Sequence, residues 1–384
     1  MTSRSATPPE PGRIDALDGV RGLAIVAVVM MHGVMVGVPL PNYPPPSPDA
    51  IYPRVALLGF AGVDLFFVLS GFLITGILVQ SRGAAHYFRN FYVRRALRIF
   101  PLYYVVLALL LFGLDRAPAG GVETLSYFTY WQNFHHAIAG PHADPARVVT
   151  WSLAIEEQFY LVWPAVVWWL SNTTLRRLCV ALVVGSIALR WLLVGLEVPG
   201  THYLTPCRLD ALAAGAWLAL SPLPSRALGN VCVLLGGAGL LACGLLSVVP
   251  FPELPMMQRY ALPSATLLAF GVLIAVRHRG LLQRACEHRW LRSIGRYSYC
   301  IYLVHFLVID WLAHRCRFSL PDGLQVWLAA HGSSTALMVL FSGVCLWVAW
   351  AIGYASWHLF EKRILAWKRH FPSGAERRPA APTA

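Results

Sequence analysis

Arg21 and His32 stand eleven positions apart inside the first apolar run of the chain, LDGVRGLAIVAVVMMHGVMVGV. Eleven steps of ~100° fall within ~20° of three full helical turns, so the two side chains share one helix face about 16 Å apart along its axis. Ionisable groups in a membrane span are costly and face a bundle interior, a pathway or a site. A guanidinium near one surface and an imidazole near the other form a line of chemistry across a bilayer. Histidine is the side chain suited to taking a proton near neutral pH.

Two carboxylates are placed to serve that imidazole. Asp64 opens the second run, GVDLFFVLSGFLITGIL, at the depth of His32. It reads either as a partner that orients the ring or as an interfacial acid at a helix N-terminus. In the fourth run, TWSLAIEEQFYLVWP, Ser152, Glu156 and Tyr160 are spaced i, i+4, i+8 and form one polar stripe. Glu156 and its neighbour Glu157 lie inside the span and require a partner or a wet cavity. Glu156 is the second candidate to hold His32; a structural pairing with Arg190 or Arg208 is the alternative.

Arg94, Arg95 and Arg98 precede Pro101, Tyr103 and Tyr104 in RRALRIFPLYY. Guanidinium forks suit phosphate oxygens and the rings suit a stacked base, so Arg94, Arg95, Arg98 and Tyr103 are candidates to bind an anionic ligand. Arginine in this place is equally what membrane topology predicts. Arg21 lies about two turns into its span from the same surface, which brings four guanidiniums towards one mouth. Two later features are weaker. Arg208 and Asp210 mark an outer span end, and His305 falls mid-span, where it reads as a second base or as a hydrogen-bonded core histidine. Gly71 and Gly76, with Ser70 and Thr75, form a small-residue face for close helix packing.

These residues need elements that cross a bilayer. Of 384 residues, 57% are apolar and only 13% charged, against about 25% charged in a soluble domain. Roughly ten apolar runs are expected to span: 15–38, 57–80, 97–114, 151–171, 178–196, 207–221, 227–249, 260–276, 295–312 and 333–358. Runs of this length make helices, so the fold class is all-α, a polytopic membrane bundle. Residues 122–136 are aromatic and read as an interfacial or re-entrant segment. The net charge of +13 does not indicate nucleic acid, because most Lys and Arg fall in loops on one side; that bias predicts both termini in the cytoplasm. The first run, interrupted by Arg21 and His32, does not read as a cleavable signal. Residues 1–12 and 363–384 are expected as cytoplasmic tails flanking a single transmembrane domain, 13–362.

His135, His136 and His142 lack a fourth ligand at metal-binding spacing, so they read as solvated loop histidines and no metal is expected. Of the eight cysteines, Cys207 and Cys316 lie near outer span ends, where a disulfide is conceivable; the others read as small apolar residues.

Six segments in this order resemble the membrane-bound acyltransferase-3 family of O-acyltransferases: RIDALDGVRG followed by His32, GVDLFFVLSGFLI, RRALRIFPLYY, TWSLAIEEQFYLVWP, TPCRLDALAAGAWLA and SYCIYLVH. The resemblance runs from Arg13 to Lys362. It implies about ten helices in the cell (inner) membrane and acyl-CoA, with acetyl the default group, as a cytoplasmic co-substrate rather than a bound cofactor. It also implies acylation of a hydroxyl, usually on a carbohydrate or glycosylated acceptor, at the outer side. The family's paired Arg and His fall on Arg21 and His32, and its span-four carboxylate on Glu156. The closing motif departs from the family: FEKRI has Arg363 where a Pro is frequent. No hydrolase domain of the type found in two-domain members is seen here, so transfer is expected to finish in the bundle or pass to a separate extracytoplasmic partner. The competing class is a proton-coupled transporter or flippase, which also threads Arg, His, Glu and Asp through a bundle.

Overall fold

The computed structural model describes residues 15–37, 51–113, 120–140, 144–247, 254–315 and 334–372, and every element in them is helical. The expected apolar runs appear as α1 (Asp15–Gly37), α2 (Ala61–Ser81), α3 (Tyr87–Ala108), α4 (Trp151–Trp169), α5 (Asn172–Gly195), α6 (Leu209–Leu220), α7 (Arg226–Leu246), α8 (Leu262–Ala275), α9 (Ser298–Asp310) and α10 (Ser334–Ser356). Local chemistry sets several starts. Asp15 and Asp18 occupy the first turn of α1, where carboxylates complement the helix dipole. Ser171 caps α5 by accepting from Thr174 N at 3.2 Å, and Ser225 caps α7 by accepting from Leu228 N at 3.3 Å.

Six of these helices are long and apolar enough to cross a membrane: α1, α2 with the turn before it from Arg54, α3, α5, α7, and α10 with its continuation to His370. The others fall short for identifiable reasons. Helix α6 has 12 residues, about 18 Å, against a hydrocarbon core of about 30 Å. Helix α9 has 13 residues, and α4 carries both Glu156 and Glu157.

Helices α1 and α2 stand at the centre. Helix α1 packs against α2, α9, α10 and the short helix Arg289–Arg296, while α2 packs against α4, α6 and α8. The α2–α6 seam is reciprocal: a Cβ on Gly71 would strike the Leu212 carbonyl, and one on Gly215 would strike the Val68 carbonyl. Gly76 faces open space and takes no part in that seam. The outer helices α5, α7 and α10 expose Val184, Leu234 and Trp347, the apolar surface a lipid-facing helix presents.

Between α3 and α4 two short helices, Gly121–Phe128 and Gln132–Ala139, are tied down by buried amides. Gln132 Nε2 donates to Thr150 O at 3.0 Å, Asn133 Nδ2 to Tyr203 O at 3.0 Å, and Gln158 Nε2 to Tyr130 O at 2.8 Å. This packing overturns the expectation for His136. Its helix turns inward, so the ring is fully buried, with Nε2 3.4 Å from Tyr127 OH. His142 lies outside the described residues, as does Cys316; Cys207 is a buried free thiol.

Candidate active site

Five helices, α1, α2, α3, α4 and α9, enclose a cavity of about 250 Å³. Arg21, Arg95 and Arg98 line one end, Leu73, Ile74 and Ile77 the flank, and Phe66, Phe67, Ser152 and Tyr302 the other end. A second cavity of about 190 Å³ shares Ile74, Ile77, Arg95 and Arg98 with the first, and is walled further out by Asn90, Arg94, Lys368 and Pro372. The two adjoin across that shared wall, with their cations gathered there.

Helix α3 supplies the arginines at helical spacing, and each is held differently. The Arg95 guanidinium lies 4.3 Å over the Tyr160 ring, a cation–π contact. Tyr160 hydrogen-bonds Ser70, and the Glu156 carboxylate joins both hydroxyls. Arg21 Nη1 pairs with Asp18 at 2.7 Å. Arg94 Nη1 donates to Phe371 O at 3.1 Å and Asn90 Nδ2 to Pro372 O at 2.9 Å, so the segment after α10 folds across the mouth.

At the far end, Tyr302 OH donates to Val149 O at 2.8 Å and takes the Ser152 hydroxyl at 2.7 Å. Behind Tyr302 lie two imidazoles. His305 Nδ1 is 2.6 Å from Tyr302 O, and His305 Nε2 is 3.0 Å from His32 Nδ1. Tyr302 thus joins the cavity wall to the histidine pair.

A separate cluster of charge sits on the α2–α6 seam. Asp64 meets Arg208 at 2.9 Å and Asp210 meets Arg190 at 2.7 Å, with all four side chains 2% exposed or less. Beside it, burial and the nearby Arg208 charge push the His202 imidazole down to about 3, so it stays neutral. Among the described residues, no group of three or more His, Cys, Asp or Glu is arranged to hold a metal ion.

Residues 14–354 match the family model described as an acyltransferase domain, the acyltransferase-3 type. The chain belongs to the acyltransferase-3 family. This family member is similar to a peptidoglycan O-acetyltransferase of Listeria monocytogenes, with 29% identity over 346 residues, 82% of this chain and 52% of the relative. It is also similar to a putative peptidoglycan O-acetyltransferase of Bacillus subtilis, with 30% identity over 329 residues, 77% of this chain and 48% of the relative. A putative O-acetyltransferase of Staphylococcus aureus is 26% identical over 327 residues, 78% of this chain and 51% of the relative. The chain spans about half the length of these curated relatives. No solved structure matches it.

Of the residues singled out in the sequence, this acyltransferase-family bundle brings Arg21, Arg95, Arg98, Ser152, Glu156 and Tyr160 to one cavity, with Arg94 at its mouth. His32 and His305 meet each other behind Tyr302. Neither expected carboxylate reaches His32: Asp64 is taken by Arg208, which starts α6 directly opposite it, and Glu156 points into the Ser70–Tyr160 group. Arg190 and Arg208 engage Asp210 and Asp64, not Glu156. Tyr103 is also elsewhere. It lies about two turns beyond Arg95 on the face towards Gly121–Phe128, with its OH donating to Tyr127 O at 2.9 Å and its ring stacked on Tyr130 at 4.5 Å. It does not line the cavity.

Among the lining residues that the sequence did not single out are Tyr302, Tyr299 and Lys368. Tyr302 carried a signal, since it lies three positions before His305 and therefore on its face of α9. Lys368 carried none, because it lies in a stretch that reads as tail yet forms the 3₁₀ turn Ala366–His370.

Proposed function

We propose that this bundle moves an acyl group, acetyl by default, from cytoplasmic acyl-CoA to a hydroxyl of a carbohydrate or glycosylated acceptor at the outer side of the cell (inner) membrane. In this reading the chain has ten spans, counting the short helices, and both termini are cytoplasmic. The observation that carries it is the pair of adjoining cavities walled by Arg94, Arg95, Arg98 and Lys368 at the mouth and by apolar side chains beyond. Phosphates favour guanidinium forks and a compact ammonium, and a pantetheine arm suits the Leu73, Ile74 and Ile77 flank. The thioester then lies towards Ser152 and Tyr302. The names of the relatives support peptidoglycan as one acceptor to be tried.

The chemistry assigned to the residues is acid–base. As the acceptor oxygen bonds to the acyl carbon, its proton passes to His32; the carbon–sulfur bond breaks and the proton returns to the CoA thiolate. Acyl-CoA is a co-substrate, and no metal or bound cofactor enters this scheme. Direct attack is the route written here; a covalent acyl-enzyme would add one transfer of the same kind.

The test uses the protein in nanodiscs with acetyl-CoA labelled in its acetyl group, following thiol release and CoA binding together. His32→Ala is expected to bind CoA and lose turnover. The Arg94/Arg95/Arg98→Ala triple variant is expected to lose binding. A folded wild type that binds no CoA would remove the donor assignment and favour a carrier for the acceptor instead.

A further inference from the structure

The histidine behind Tyr302 has a defined job in the hydrogen-bond order. We propose that His305 is a positioning residue that fixes His32 in the tautomer whose Nε2 is bare and able to accept a proton. The inference deepens the acyl-transfer reading above and rests on it for its catalytic meaning, although the tautomer itself does not.

A backbone carbonyl only accepts a hydrogen bond. Tyr302 O lies 2.6 Å from His305 Nδ1, so that nitrogen carries the hydrogen. The contact is with a residue three positions back on the same helix, so α9 itself enforces it. A neutral His305 then has a bare Nε2. That nitrogen faces His32 Nδ1 at 3.0 Å, which makes His32 Nδ1 the donor. His32 Nε2 is left without hydrogen and is the base.

An imidazole in this place does what a carboxylate does in an acid–base triad: it selects the tautomer and the ring angle. It differs in carrying no charge at rest. In a bilayer interior an unpaired carboxylate is expensive, whereas a neutral acceptor is not. When His32 takes the acceptor's proton, its Nδ1–H···Nε2 bond to His305 becomes charge-assisted and strengthens as the reaction needs it. The two sequence candidates for this role, Asp64 and Glu156, are both engaged elsewhere.

Two variants separate positioning from packing. His305→Gln places an amide oxygen near the former Nε2 and keeps an acceptor for His32; His305→Leu keeps the bulk and removes it. With ¹⁵N-histidine protein in nanodiscs, His32→Gln identifies the His32 signals among the 13 histidines. The wild type and His305→Gln are expected to show a protonated Nδ1 and a bare Nε2. His305→Leu is expected to move the proton to Nε2. In turnover of acetyl-CoA with a soluble chitooligosaccharide as acceptor probe, His305→Leu should lose kcat ~100-fold at unchanged KM for acetyl-CoA, and His305→Gln should stay within about tenfold of wild type. A wild-type His32 protonated at Nε2, or a His305→Leu protein with an unaltered His32 signature, overturns the proposal. A wild type that turns over no acetyl-CoA overturns the acyl-transfer reading instead, and the tautomer signature then decides His305 by itself.

Discussion

Asp64 and Arg208, 144 positions apart, meet at 2.9 Å in a site closed to solvent. Asp64 therefore acts on the α2–α6 seam, not on His32. Removing either partner leaves the other charged and buried. Asp64→Ala and Arg208→Ala are each expected to destabilise the bundle by about 3–5 kcal/mol, with the double replacement by apolar residues less damaging than either alone. Thermal melting in detergent checks this. An Asp64→Ala protein that melts like wild type yet loses turnover would return Asp64 to the chemistry.

The mouth predicts a graded electrostatic response. CoA affinity should fall with rising salt, and Lys368→Ala should weaken it by about tenfold, the scale of a lost charged hydrogen bond. Arg95→Lys should not restore Arg95→Ala, because a lysine cannot reproduce the planar stack on Tyr160. Equilibrium binding of CoA across a salt series reads both.

Tyr103 supplies the contrast. Tyr103→Phe deletes a buried hydroxyl bonded to Tyr127 O and is expected to cost about 1 kcal/mol while leaving CoA affinity unchanged. A loss of CoA binding in that variant would put the donor further along α3, beyond the cavity described above and towards Gly121–Phe128.

Glu156 sits among Ser70, Tyr160 and Arg95, at the arginine end of the cavity. Glu156→Gln is expected to change KM for acetyl-CoA more than kcat. The reverse split, with kcat falling at constant KM, would tie the carboxylate to the proton transfer.

Glycine replacements test the central seam. Gly71→Ala and Gly215→Ala each drive a methyl into a facing carbonyl and should destabilise by about 1–3 kcal/mol, while Gly76→Ala, in open space, should be neutral. Equal melting of all three would mean that α2 and α6 do not pack as described.

Face along a helix was legible in the chain; azimuth between helices was not, and depth only in part, since Glu156, a candidate to hold His32, sits instead beside Arg95. Ser152, Glu156 and Tyr160 line one cavity with Arg95 and Arg98, because periodicity along a helix reports which residues share a side. His32 and Asp64 were level, but level residues meet only if their helices turn the same way. That rotation is set by contacts such as Gly71 against Leu212, which no local pattern announces. Tyr103 failed for a related reason: proximity to arginines in sequence says nothing about the facing helix. Lys368 lay in a stretch without periodicity, and only tertiary bonds from Arg94 and Asn90 bring that stretch to the mouth.

The same folded-back segment has a practical consequence. Lys362 and Lys368 are the only lysines in the chain, whose basic charge is otherwise arginine. An amine-reactive label therefore finds almost nothing to modify except this strap. Because Lys368 lines the outer cavity, its labelling rate measured by mass spectrometry becomes a gauge of how full the entrance is, with Lys362 as its internal clock.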